Sequence, residues 1–291
     1  ISAERLDDER IVQPSLIALA PRQLEYMPAV ATPDLLRSLQ SLPGIQAASD
    51  ISSGLYIRGG SPDQTRILLD QVPLYNPSHS FGFFSTFSPD AIKDVTLYKG
   101  AYPAKYGGNL GAVLDVSNLE GNREKFAARG GLNLISGRLL CEGPLANGSW
   151  MAAGRRTWLE PVLAIVRSSG IEVPDYYFYD FNGKINQRRG DDTLVISTYV
   201  GQDALDYDLE EDTFFTIQWG NRAITGQWTH LFSPSFFGRF IAAASSYESV
   251  TQATIFDTPI AASNRISDIT LKSDLDYYAT GAHRFSAGIA L

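Results

Sequence analysis

The stretch Ser53-Gly54-Leu55-Tyr56-Ile57-Arg58-Gly59-Gly60-Ser61-Pro62-Asp63-Gln64-Thr65-Arg66-Ile67-Leu68-Leu69-Asp70-Gln71-Val72-Pro73-Leu74-Tyr75-Asn76 decides the reading of the chain. Two short apolar runs, Leu55–Ile57 and Ile67–Leu69, flank the turn Gly59-Gly60-Ser61-Pro62-Asp63. Glycine permits positive φ in such a turn and proline pre-sets the bend. A hairpin of two strands buried on both faces is the expectation. Arg58 and Asp70 close the two runs. A buried charge needs a partner, so the two are candidates for one polar network, or else two solvated charges at strand ends.

Upstream, Thr32-Pro33-Asp34 predicts a helix start: Thr32 as cap, Pro33 in the first turn, Asp34 against the helix dipole. Leu35, Leu36, Leu39 and Leu42 keep helical spacing, and Pro43-Gly44 ends it. Residues 1–30 read as an extended lead-in with Pro14, Pro21 and Pro28. Downstream, Tyr75–Phe87 is rich in Phe, Gly, Pro, Asn and Ser, which suits a packed or recognition loop. Ser88-Pro89-Asp90 predicts a second short helix through Lys93. Val95–Tyr98 and Ala112–Val116 read as strands around a glycine-rich turn, and Ser117–Asn122 as a linker. That turn lacks the Gly-Lys-Ser/Thr ending of a phosphate loop.

From about residue 123 the texture changes to alternating faces. In Asp268–Tyr277, Ile269, Leu271, Leu275 and Tyr277 oppose Asp268, Thr270, Lys272, Asp274 and Asp276. In Ile224–Phe232, Ile224, Trp228 and Phe232 oppose Thr225, Gln227 and Thr229. Such period-two patterns give one apolar and one wet face. Short turns fall near Leu145–Gly148, Arg188–Asp191, Ser233–Ser235 and Thr280–Ala282, and longer loops are expected near Glu160–Asp175, Asp203–Thr213 and Ser249–Asn264. Short turns at one end and long loops at the other are the asymmetry of outer-membrane barrels. Tyr176 to Tyr179 with Phe181 would suit an interfacial girdle, or ordinary strand packing.

Composition narrows the classes. The net charge of −8 gives no support to a nucleic-acid partner. The single cysteine, Cys141, cannot build a disulfide within the chain, and His79, His230 and His283 lack metal-ligand spacing. No apolar run is long enough for a transmembrane helix, which leaves barrel strands open. The first residues do not form a signal peptide, so the expectation is a start after processing or after an upstream domain.

The ordered segments Pro43-Gly44-Ile45, Arg58-Gly59-Gly60, Ile67-Leu68-Leu69-Asp70-Gln71-Val72-Pro73, Asn76-Pro77-Ser78-His79, Tyr98-Lys99-Gly100 and Pro103-Ala104-Lys105-Tyr106-Gly107-Gly108 together resemble the plug domain of TonB-dependent outer-membrane receptors. Gln71 departs from the glycine usual there. The resemblance implies an α+β plug, a small mixed sheet with short helices, followed by antiparallel transmembrane β-barrel strands. It places a lead-in at 1–30, the plug at 31–122 and roughly nine barrel strands at 123–291, an incomplete barrel. An open edge is then expected.

It also implies a receptor, not an enzyme, that binds a scarce nutrient (siderophore, cobalamin, glycan or peptide) and imports it with TonB-coupled energy in contact with outer-membrane lipid. Apical plug loops would place Asn76, Ser78, His79, Ser80, Tyr102, Tyr106 and Asn109 toward ligand, with Arg58, Gly59, Gly60 and Asp70 as a structural network. Thr225, Gln227, Thr270, Lys272 and Asp274 would line the lumen. No cofactor or metal is expected; a surface lipoprotein partner is left open. One alternative is a ligand-sensing signal transducer of the same architecture. Another is a secreted α+β hydrolase using Asp203, Asp206, Asp208, Glu210, Glu211 and Asp212. Nothing in that acidic run fixes a carboxylate pair at catalytic separation.

Overall fold

The computed structural model describes residues 15–19, 34–47, 53–108, 111–210, 213–255, 258–280 and 283–291. Most of the lead-in, Thr32, Pro33 and Asn109 lie outside them.

The N-terminal unit is built on a five-stranded mixed sheet in the order β1 (Leu16–Leu19), β8 (Ile92–Tyr98), β9 (Val113–Asn118), β4 (Arg66–Leu69), β5 (Val72–Pro73). Only β4 and β9 run parallel. A second pair joins β2 (Ile45–Ala47) to β3 (Leu55–Ile57), and a third joins β6 (Ser78–His79) to β7 (Phe84–Ser85). Helix α1 (Leu35–Gln40) buries Leu35, Leu36 and Leu39 against Ile45, Leu55, Ile57, Val95 and Leu114. Its cap is Asp34, whose carboxylate accepts from the amide of Arg37, so Asp34 does the work expected of Thr32.

The two apolar runs of the opening stretch do not pair with each other. A 3₁₀ turn at Pro62–Gln64 carries the chain out of the β2–β3 pair and into the main sheet. The tight hairpin lies one step later, between β4 and β5, with Asp70 and Gln71 as its two turn residues. Both have positive φ, 47° and 73°, as such a turn demands. This is the physical reason a glycine would suit position 71; Gln71 instead ties its side chain to Asp115, 2.9 Å away. Burial on both faces holds for Leu68 and Leu69, whereas Tyr56 of β3 is exposed. Ser88–Ala91 forms a turn, not a helix, and β8 begins immediately after it.

Nine antiparallel strands follow in simple meander order: β10 (Ala127–Leu132), β11 (Ser136–Leu145), β12 (Gly148–Thr157), β13 (Asp175–Arg189), β14 (Asp192–Glu210), β15 (Thr213–Ser233), β16 (Phe236–Ile255), β17 (Thr258–Thr280) and β18 (His283–Ala290). The predicted short turns at Leu145–Gly148, Arg188–Asp191 and Ser233–Ser235 are present; the fourth, Thr280–Ala282, lies partly outside the described residues. Helix α2 (Glu160–Ser168) occupies the first long connection. The described parts of the other two expected loops are strand instead: β14 runs through the acidic segment to Glu210, β16 runs on to Ile255 and β17 begins at Thr258. The β14–β15 and β16–β17 ladders continue through these segments, and long-range pairing overrides their low strand propensity.

The wall curves around the N-terminal unit with its polarity reversed relative to a soluble protein. Asn182, Lys184, Ser197, Thr225 and Thr270 are buried against that unit, while Leu139, Ile185, Ile196, Ile224 and Leu271 are exposed on the other side. The alternating faces read from Ile224–Phe232 and Asp268–Tyr277 therefore hold. The Tyr176–Phe181 cluster splits by the same rule: Tyr176 and Phe178 face inward and are buried, and Phe181 is exposed. Further aromatic rings meet near the short turns: Trp228 with Phe240 at 5.1 Å, Phe232 with Phe236 at 4.9 Å, and Phe236 with Tyr277 at 6.2 Å.

Gly121, on the way from β9 to β10, has φ of +88°, and a Cβ there would collide with the carbonyl oxygen of Trp150. Gly44 has a similar φ, +80°, but open space around it. Alanine at Gly44 should cost only the left-handed backbone, about 1–2 kcal/mol. Alanine at Gly121 should cost clearly more. Unfolding midpoints of the two variants in detergent compare the costs directly; equal losses would mean the linker does not pass this close to β12.

Candidate functional site

Backbone strain singles out the segment Asn76–Gly82. Asn76, Ser80 and Phe81 all sit in the left-handed region, at φ of 44°, 52° and 56°. Non-glycine residues hold such geometry only where surroundings impose it. The arch presents Asn76 and Phe81 to solvent; Phe81 is 66% exposed and its ring contacts Trp219 at 4.7 Å. The Asn76 amide donates to the Tyr247 hydroxyl (3.3 Å) and accepts from the Ser78 hydroxyl (3.1 Å). Tyr75 anchors the base of the arch. Its backbone exchanges hydrogen bonds with the Asn221 side chain, and its hydroxyl donates to Asp268 at 3.2 Å.

His79 does not share this exposure. It is buried, against the expectation of a ligand-facing role, because β6 turns its ring inward onto the wall. The ring stacks on Phe178 at 4.2 Å, Nδ1 lies 2.6 Å from Asp203 Oδ2, and Nε2 lies 3.4 Å from Asp180 Oδ2. Burial opposes the imidazolium, but Asp180 and Asp203 outweigh it, and His79 holds its proton above the ordinary histidine range. Arg155 completes the group: it donates to Asp180 at 2.8 Å and to the Ser85 carbonyl at 2.7 Å. Ser85 in turn donates its amide to Asp34. Ser80 is half-buried, with its amide on Asp203 (3.0 Å) and its hydroxyl on Tyr176 (2.8 Å).

A second polar contact lies deeper. Asp70 is buried and meets Lys184 Nζ at 2.7 Å, the Ser197 hydroxyl at 2.5 Å and the Asn118 amide at 3.1 Å. Lys184 also donates to the Asn118 carbonyl. Asp70 thus has the partner that burial demands, but it is not Arg58, which is exposed in the turn with φ of 50°. Gly59, with φ of +82°, and Gly60 shape that turn.

The second loop divides similarly. Tyr102 is half-buried, while Tyr106 is buried and donates to Asp115 at 2.6 Å, so Tyr106 is structural. Burial first, and then the adjacent Asp115 carboxylate, push its phenol far above its usual pKa. Of the acidic run, Asp203 points inward to His79, whereas Asp206 and Asp208 are exposed. Asp203 therefore lies on the opposite face of β14 from Asp206 and Asp208, and Glu211 and Asp212 lie outside the described residues. A groove of about 450 Å³ is lined by Leu194, Trp228, Phe240, Leu271 and Ile289, on the outer apolar side and away from the arch.

Residues 21–113 match the family model of the TonB-dependent receptor plug domain. That segment is a TonB-dependent receptor plug domain. No curated relative matches it. Its fold is similar to the siderophore receptor PirA from Acinetobacter baumannii (TM-score 0.69, 14% identity, covering 100% of this chain and 49% of that one). It is likewise similar to the outer membrane transporter YddB from Escherichia coli (0.69, 13%, 95% and 47%). A third is FpvA from Pseudomonas aeruginosa, bound there to a pyoverdine (0.65, 13%, 95% and 41%). The chain spans about half the length of the first two. The nine-stranded wall matches part of a receptor barrel, and the plug is joined to it by the Asp70 and His79 contacts.

Replacing Lys184 with Met leaves Asp70 buried and unpaired, and should cost about 3–5 kcal/mol. Adding Asp70→Asn should recover part of that loss. Denaturant midpoints of the single and double variants in detergent measure the coupling; a Lys184→Met variant as stable as the parent would show that plug and wall do not meet here.

Proposed function

We propose that this chain is the plug, at 31–122, and nine wall strands, at 123–291, of an outer-membrane receptor that takes up a scarce nutrient. The carrying observation is the reversed polarity of the wall, apolar outward and polar toward an enclosed plug. Outer-membrane lipid covers the exposed apolar face, and buried polar groups grip the plug. Ligand meets the exposed arch at Asn76, Ser78 and Phe81, with Ser80 behind it; Tyr102 and Asn109, in the glycine-rich segment after β8, are further proposed ligand contacts. Phe81 and Trp219 offer aromatic surface, and the Asn76 amide and Tyr247 hydroxyl offer hydrogen bonds. Such a surface suits a rigid polar-aromatic ligand. The names of PirA and FpvA put a siderophore first among siderophore, cobalamin, glycan and peptide. Energy comes through TonB acting on the N-terminal segment.

Fractionation of cells making the full gene product tests this reading. Expected is an outer-membrane band that migrates differently before and after heating, the mark of a closed barrel. A soluble product would contradict it. In a membrane-located product, Phe81→Ala should weaken ligand binding about tenfold or more without lowering the amount in the membrane. Undiminished binding would move the ligand surface elsewhere.

A further inference from the structure

The arch projects into solvent, yet it is tied down by a residue that solvent does not reach. His79 is 1% exposed, and Asp203, its nearest partner, is equally buried. The same Asp203 carboxylate takes the Ser80 amide on its other oxygen, and the Tyr176 hydroxyl also donates to it. One wall carboxylate therefore fixes two consecutive residues, immediately before the left-handed Phe81. Releasing His79 would free the constraint that holds Ser80 and Phe81 in an unfavourable backbone region.

The charges around the ring favour a protonated imidazole. From β13 come Asp180 and the Tyr176 hydroxyl; from β14 come Asp203 and, further along, Tyr199. From β12 comes Arg155, engaged with Asp180 and lying over the Phe178 ring on which His79 stacks. On the plug side Asp34 is taken up by the amides of Arg37 and Ser85. With Asp34, the Asp180 and Asp203 carboxylates bring three negative charges against one from Arg155. A proton on His79 reduces the excess negative charge buried at the plug–wall contact, and its loss enlarges that excess.

We infer that His79 and Asp203 are positioning residues forming a proton-linked latch that holds the Asn76–Phe81 arch against the barrel wall. The latch rests on the reading of the arch as the ligand surface. It gives that surface two states, arch held and arch lifted, and a ligand that binds them unequally shifts the balance. The His79 proton is held more tightly in the latched state than free in water. The latch is therefore fully made below the ordinary histidine pKa of about 6.5 and weakens as pH rises through the higher value in the folded protein.

Trp219 reports on the arch through Phe81, and no ligand is required. In the full protein in detergent micelles, tryptophan emission is followed from pH 5 to 10 in the parent and in Trp219→Phe, and the difference between the two is the Trp219 signal. The expected result is a single transition with a midpoint above 6.5. It disappears in His79→Gln and moves down by about one pH unit, tenfold in proton affinity, in Asp203→Asn. No transition in the parent, or the same transition in His79→Gln, would overturn the latch. Asp203→Asn keeps the side-chain volume; should His79→Gln fail to fold, an unmoved midpoint in Asp203→Asn overturns it equally. A soluble product in fractionation would sink the receptor reading and leave this titration intact, so the two can fail separately.

Discussion

A carboxylate buried between two parts of a chain constrains everything around it. Asp70 occupies the tight turn of the plug's main sheet, and it can be buried there only because Lys184, Ser197 and the Asn118 amide converge on it. Two of those groups belong to the wall and one to the last plug strand, so sheet, linker and barrel must be in register at once. Removing Lys184 leaves a buried charge without a counter-charge, a cost comparable to a large part of a domain's stability, and removing either neutral donor leaves one carboxylate hydrogen bond unmade. The apolar core is continuous across the same boundary: Tyr199, Ala223, Ile241 and Ala243 of the wall pack with Leu69, Val72 and Val116 of the plug. Polar contacts thus fix the placement, and apolar contacts supply the general attraction.

This arrangement accounts for the wall's composition. Strands that met only lipid and water could carry any polar inner face. Here the inner face is specific: Asn182, Lys184, Asn186, Asp180 and Arg155 are each matched to a plug residue or to one another. The contacts run from Glu120 at the exit linker through Asp70 to His79 beneath the arch. Motion of the plug must break them in some order. The arch end, with its strained backbone and its titratable latch, is where that order is most open to outside control.

Much of the architecture was legible in the sequence because it is written in local patterns. Alternation in Ile224–Phe232 and Asp268–Tyr277 depends on neighbours two residues apart, and the short turns depend on a few residues each. Pairing was less legible. The Leu55–Ile57 and Ile67–Leu69 runs look like a hairpin because they are close in sequence, but the intervening 3₁₀ turn sends them to different sheets. The acidic segment from Asp203 looked like a loop because charge counts against strand propensity, while long-range pairing with β15 decides otherwise. The site was least legible. Asp70 lies 114 residues from Lys184 and His79 lies 124 from Asp203. No local signal distinguishes a histidine facing ligand from one facing a buried carboxylate. The need of Asp70 for a partner was readable; which cation would supply it was not.

The central claim, that the plug is docked in the wall through buried polar contacts, is tested most directly by hydrogen exchange at β9. This strand lies inside the plug sheet, and its Asn118 amide donates to Asp70. In the full protein in lipid nanodiscs, Val113–Asn118 should exchange as slowly as the central wall strands β14 and β15. Exchange of this segment on the timescale of surface loops, with the wall still protected, would show a plug that is not held by the barrel and would contradict the structure described.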